Sequence, residues 1–174
     1  MPFQPGPSIF NGTSCPPTPP SFPCPHDALS PNPLRPHILA PDWLTRWLTP
    51  FGVNHMNALA SFFPPHLIAM SCTILYKSVA TSTLSNYSSG LLWFSQFCDD
   101  YQILELLRMP ASEALLTIFI TCRGTVSISA STIRHWLLGL ELWHEINGAP
   151  WFGCLTLRRA VKVTSILMSL TSHP

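Results

Sequence analysis

Residues 82–100 read Ser82-Thr83-Leu84-Ser85-Asn86-Tyr87-Ser88-Ser89-Gly90-Leu91-Leu92-Trp93-Phe94-Ser95-Gln96-Phe97-Cys98-Asp99-Asp100. Tyr87, Leu91, Phe94 and Cys98 recur at i, i+4, i+7 and i+11, one stripe of a helix. Ser82 or Thr83 supplies a side-chain oxygen for its N-terminal cap. Asp99 and Asp100 fall where the helix dipole disfavours carboxylates, so the helix is expected to end there as a solvated terminus.

The same logic extends in both directions. After Pro110, Ala111 or Ser112 opens a helix, Glu113 complements its positive end, and Gly124 suits the position just past its last turn. Leu115, Ile118, Phe119 and Cys122 form its stripe, and Leu116 and Ile120 widen the apolar face. Ser129-Ala130-Ser131-Thr132 opens a third helix, closed by Gly148 and Pro150. Ile133, Trp136, Leu137, Leu140 and Trp143 share one arc of it, and so apolar a helix belongs in the middle of a bundle. A last helix is expected over 154–170. Upstream, residues 41–48 read as a short helix, 54–63 as a second, and 65–79 as a third, with Pro64-Pro65 in its first turn. The sequence therefore predicts an all-α fold: a four-helix bundle over 81–170, preceded by short helices over 38–80.

Composition narrows the function. The chain has 174 residues, 9 basic and 8 acidic, for a net charge of +1. That excludes a polybasic nucleic-acid coat or an acidic tail, but not a local basic patch. Hydrophobic residues make up 47% and mean hydropathy is +0.26, yet no window reaches the roughly 18 consecutive apolar residues of a membrane helix. No membrane partner is expected. Twelve of the 19 prolines fall in residues 1–36, so 1–37 is expected to be a disordered, PPII-prone tail. Met1-Pro2-Phe3-Gln4 does not open a secretory signal, which predicts an intracellular protein. The cysteines at 15, 24, 72, 98, 122 and 154 include no CxxC pair and are expected as reduced thiols.

Catalytic templates fail on residue supply. Glu141-x-x-His144 is half of a di-iron bundle motif, but the chain has only four glutamates and no second ExxH. His144 is expected as a packed core histidine. There is no G-x-S-x-G elbow and no Walker loop. No cofactor, no metal and no autonomous catalytic site are expected. Local charge is more informative. Arg158, Arg159 and Lys162 place three cations within five residues, and Arg134 and His135 open the preceding long helix beside Ser131 and Thr132. Hydroxyls and N–H groups at a helix start bind phosphate.

In their order along the chain these residues resemble a known family. Thr83-Leu84-Ser85-Asn86-Tyr87, then Gly90-Leu91, Phe94 and Phe97-Cys98-Asp99, resembles the first helix of the core-binding domain of tyrosine recombinases and phage-type integrases. Pro110-Ala111-Ser112 with Leu115-Leu116 and Phe119-Ile120 resembles the second. Ser131-Thr132-Ile133, Leu137, Leu140, Trp143-His144 and Asn147-Gly148-Ala149-Pro150 resemble the third, and Leu157-Arg158-Arg159-Ala160-Val161-Lys162 the fourth. The resemblance spans roughly 81–163 and is nearest to recombinase-like proteins of fungal mobile elements.

The resemblance implies a SAM-like, N-terminal integrase bundle that forms one half of a clamp around duplex DNA, at a nuclear site. The family's catalytic Arg, Lys, His and Tyr lie in a separate C-terminal domain. Only Val163 to Pro174 follow Lys162, and Tyr76, Tyr87 and Tyr101 all precede it. The expectation is thus a stand-alone, truncated or degenerate DNA-binding half, not an enzyme. Its expected phosphate contacts are Ser131, Arg134 and His135 from one helix and Arg158, Arg159 and Lys162 from the last. Residues 81–174 carry six cations against six anions, so binding is expected to be weak, salt-sensitive and non-specific. The alternative is a helical protein-interaction module. Its partner would dock on Trp93, Phe97 and Trp151-Phe152, or the missing catalytic domain would cover them.

Overall fold

The computed structural model describes residues 42–47, 49–124 and 128–171, and the proline-rich tail expected over 1–37 lies outside them. Eight helices follow one another among the described residues: α1 (Trp43–Arg46), α2 (Pro50–Ala60), α3 (Pro65–Lys77), α4 (Thr81–Asp100), α5 (Glu105–Arg108), α6 (Glu113–Gly124), α7 (Ala130–Ile146) and α8 (Leu155–Thr171). The fold is all-α, with helices α4, α6, α7 and α8 where the sequence predicts them.

The packing centres on α4 against α7, with α8 lying on α6 and α7. Two glycines let α4 and α7 approach. A Cβ on Gly90 would stand 2.5 Å from the Trp136 Cα, and one on Gly139 would stand 2.4 Å from the Tyr87 carbonyl oxygen. Each glycine thus seats the other helix's backbone in the space a side chain would fill. Around this crossing Leu91, Phe94, Cys98, Leu116, Phe119, Ile120, Ile133 and Leu140 are fully buried. Phe119 meets Phe94 edge-on at 5.4 Å and stacks on Trp136 at 6.1 Å. α1 belongs to the same core: Trp43, Leu44 and Trp47 are buried, and Trp47 stacks on Trp143 at 4.4 Å.

The caps explain the boundaries and correct several expectations. The Ser129 hydroxyl accepts the Thr132 N–H at 3.1 Å to open α7, and Ser112 accepts the Leu115 N–H at 3.2 Å to open α6. α7 closes with Gly148 at φ +65, the Gly148 N–H on the Glu145 carbonyl and the Ala149 N–H on the His144 carbonyl. α4, by contrast, begins at Thr81 after Ala80, with no side-chain cap, so neither Ser82 nor Thr83 has that role. α2 starts at Pro50 rather than at 54. Thr49 is its N-cap and accepts the Gly52 N–H at 2.9 Å, while Pro50 occupies a position whose N–H has no helical acceptor. Gly124 is itself helical in α6 rather than the residue beyond the helix.

Two further expectations fail because neighbouring segments cover α4 where its sequence reads as open. Phe97 is buried and Trp93 is half-buried, stacked on Trp136 at 5.8 Å, so neither is an exposed aromatic. Asp99 is not a solvated helix end. It receives the Arg108 guanidinium at 2.9 Å, and Arg108, 4% exposed, also bonds the Ile103 carbonyl through Nε at 2.9 Å and Nη2 at 2.7 Å. The unexpected helix α5 places that arginine. Cys72, Cys98, Cys122 and Cys154 are all thiols rather than disulfides.

Candidate nucleic-acid interface

Helical spacing builds a groove between α7 and α8. Arg134, Leu137, Leu138 and Glu141 stand at i, i+3, i+4 and i+7 on α7, so they share one face. Cys154, Leu157, Arg158, Val161 and Lys162 stand at i, i+3, i+4, i+7 and i+8 across from them. Trp151 and Gly153, from the connection, close the end. The groove encloses about 580 Å³. Its floor is apolar, and Arg134, Arg158 and Lys162, all exposed, form a cationic rim.

The groove thus unites three of the six residues singled out in the sequence. The other three do not line it. Ser131 is exposed on the first turn of α7, His135 is half-buried, and Arg159 is exposed on α8. The helix starts are also less available than expected. Ser129 takes the Thr132 N–H and bonds the Thr132 hydroxyl at 2.9 Å, so the α7 cap is satisfied internally. At α8 the Glu113 carboxylate occupies the anion position. The Cys154 thiol and the Thr156 hydroxyl donate to it, as do the N–H groups of Leu157 and Thr156. Together they hold its carboxyl below the usual carboxylate range against the effect of desolvation.

Two cations counted in the charge balance are absorbed by the fold. Arg108 is tied to Asp99, and to Glu105 at 3.3 Å. Arg123 is buried with its guanidinium over the Trp93 ring at 4.5 Å. Glu141 faces the rim cations from within the groove. Burial raises its carboxyl above the usual range, the neighbouring Glu145 adds to this, and Arg158 opposes it.

Besides the apolar lining, Trp151 and Glu141 are site residues that sequence reasoning did not assign to it. The Trp151 ring stands edge-on to His144 at 5.2 Å and 70°. A Cβ on Gly153 would stand 2.3 Å from the indole nitrogen of Trp151, so only glycine leaves the ring its place. The signal available in the sequence was Trp151 followed two residues later by a glycine, immediately before the basic helix.

Among the described residues no group of three or more His, Cys, Asp or Glu side chains is placed to hold a metal ion. His144 of the half di-iron motif has both ring nitrogens engaged: Nε2 accepts the Ala111 N–H at 2.9 Å, and Nδ1 lies 2.7 Å from the Leu140 carbonyl, to which it donates. No single helix among the described residues is long and apolar enough to cross a membrane. Set against protein-family models, curated proteins and solved structures, the chain matches none.

Proposed function

We propose that the chain is a non-catalytic nucleic-acid-binding module that contacts the phosphates of duplex DNA along the α7–α8 groove. One observation carries this reading. Arg134, far from α8 in sequence, stands on the same groove as Arg158 and Lys162. Of the six exposed Lys and Arg side chains among the described residues, Arg134, Arg158, Arg159 and Lys162 lie on these two helices, and only Arg46 and Lys77 lie elsewhere. Four of the six exposed cations among the described residues thus lie on two neighbouring helices, which suits backbone contact. Three rim cations with Glu141 among them make the affinity low and salt-sensitive. The test is fluorescence anisotropy of a labelled random duplex with the full chain. Replacing Arg158→Ala and Lys162→Ala together weakens binding for every sequence, and unchanged affinity rejects the assignment.

A second reading, a helical interaction module, keeps Phe152 of the expected aromatics, which is exposed, and adds a surface around α3. Phe62, 80% exposed, and Phe63 stand in the turn between α2 and α3, and Ile74, 63% exposed, and Met70 stand on α3. A monomer at all concentrations by sedimentation counts against a self-associating form of it.

A further inference from the structure

The groove holds more than phosphate contact requires. A duplex lying on a basic surface presents its sugar–phosphate backbone, and nothing in that contact fills an apolar floor. Here the buried Leu157 and Val161, with Leu137 and the exposed Leu138, supply an apolar lining, and an indole, Trp151, stands among them. The volume of about 580 Å³ lies within the roughly 300–1,000 Å³ of clefts that hold a small organic molecule. That is the scale of one base with its sugar, and too small a slot to admit a duplex.

Trp151 is also held for such a role. Its ring stands edge-on to the buried His144, and the absent side chain of Gly153 leaves it space. A fixed aromatic face needs no ordering on binding. Aromatic faces beside a cationic rail are the recurring means of holding single-stranded nucleic acid, because every base has a π-face.

We infer that the α7–α8 groove takes one unstacked nucleotide, its base against Trp151 and its flanking phosphates on Arg134, Arg158 and Lys162, so that single-stranded nucleic acid binds in preference to duplex. The inference rests on the phosphate-binding reading above. An acidic amphipathic helix would satisfy the same rim but has no use for the indole of Trp151, so the two occupants differ in their response to Trp151→Ala.

The experiment titrates the full chain against a labelled oligo-dT of about 12 nucleotides and a labelled duplex of equal length, at about 50 mM salt. It compares Trp151→Ala, Trp151→Phe and the Arg158→Ala/Lys162→Ala pair, with thermal melts of each. Oligo-dT binds more tightly than duplex, Trp151→Ala weakens oligo-dT roughly tenfold while sparing duplex, and Trp151→Phe restores it. Equal affinities for the two probes, or an equal effect of Trp151→Ala on both, overturn the inference while the duplex reading stands. Unchanged affinities in the Arg158/Lys162 variant overturn both, as does binding of an acidic amphipathic peptide by a chain that binds neither nucleic acid. Should Trp151→Ala fail to melt cooperatively, photo-crosslinking of a 5-bromouracil oligonucleotide to the unaltered chain decides. A crosslink on the peptide bearing Trp151 supports the inference, and a crosslink elsewhere or none overturns it.

Discussion

The backbone N–H of Ala111 donates to Nε2 of His144 at 2.9 Å, so the segment that leads into α6 is tied to the core face of α7 by a neutral imidazole. Nδ1 donates to the Leu140 carbonyl, and the ring is fully buried.

Burial holds the His144 imidazole down to about 4, from an ordinary 6.5, against the smaller opposing effect of the Leu140 carbonyl. The unfolded chain therefore takes up a proton that the folded chain refuses between these values. Stability is unaffected by this residue above pH 6.5 and falls as pH drops toward 4, by about 3 kcal/mol in total. Urea unfolding across that range measures it. His144→Gln lowers stability at neutral pH but flattens the acid slope, and parallel slopes for the two proteins would contradict this assignment.

Gly90 and Gly139 make a prediction whose sign opposes helix propensity. Alanine is the better helix former by about 1 kcal/mol, yet a Cβ at either position meets the backbone of the facing helix at 2.5 Å or less. Backbone cannot yield as a side-chain tip can. Gly90→Ala and Gly139→Ala each destabilise by about 2 kcal/mol net, read as a lower urea midpoint. A stabilised Gly90→Ala variant would show that α4 and α7 do not cross this closely.

Arg108 is the buried cation that the fold uses rather than the ligand. It bonds the Ile103 carbonyl twice and pairs with Asp99, closing the turn between α4 and α5. Arg108→Ala leaves Asp99 and the Ile103 carbonyl without that partner and destabilises by about 3–5 kcal/mol. DNA affinity per folded molecule is unchanged, which separates Arg108 from the rim cations.

Much of this architecture was legible in the sequence, and the failures share a cause. Helices α4, α6 and α7 were readable because each carries an apolar stripe, with a serine cap at α6 and α7, whereas α8 was marked mainly by the cations on one side of it. The packed His144 followed from its place among Ile133, Leu137 and Leu140. Periodicity describes one face of one helix and does not say how many neighbours cover it. For that reason Trp93 and Phe97 read as exposed, and Asp99 read as a solvated terminus although Arg108 folds back onto it. The four-residue helix α5 is too short to show a period. Within the site, Arg134, Arg158 and Lys162 were found as charge, but the apolar floor and Trp151 depend on how α7 meets α8. Ser131 and His135 were chosen for the α7 start, whose cap the fold satisfies internally.

Glu141 opposes any anion in the groove. Its carboxyl sits above the ordinary range chiefly through burial, and a bound phosphate adds repulsion in the same direction. Glu141→Gln removes the charge and keeps the shape. It strengthens duplex binding two- to fivefold, about 0.5–1 kcal/mol, by anisotropy at low salt. Weaker binding would mean that the carboxylate positions Arg158 rather than repelling the ligand.

The most direct test of the central claim is the salt dependence of duplex binding by the full chain. Each phosphate neutralised contributes about −0.9 to the slope of log K against log salt, so three rim cations predict a slope near −3. Arg158→Ala with Lys162→Ala is predicted to bring it to about −1, with affinity reduced equally for unrelated duplexes. A slope unchanged in the double variant, or no binding even at about 50 mM salt, would contradict a phosphate-binding groove between α7 and α8.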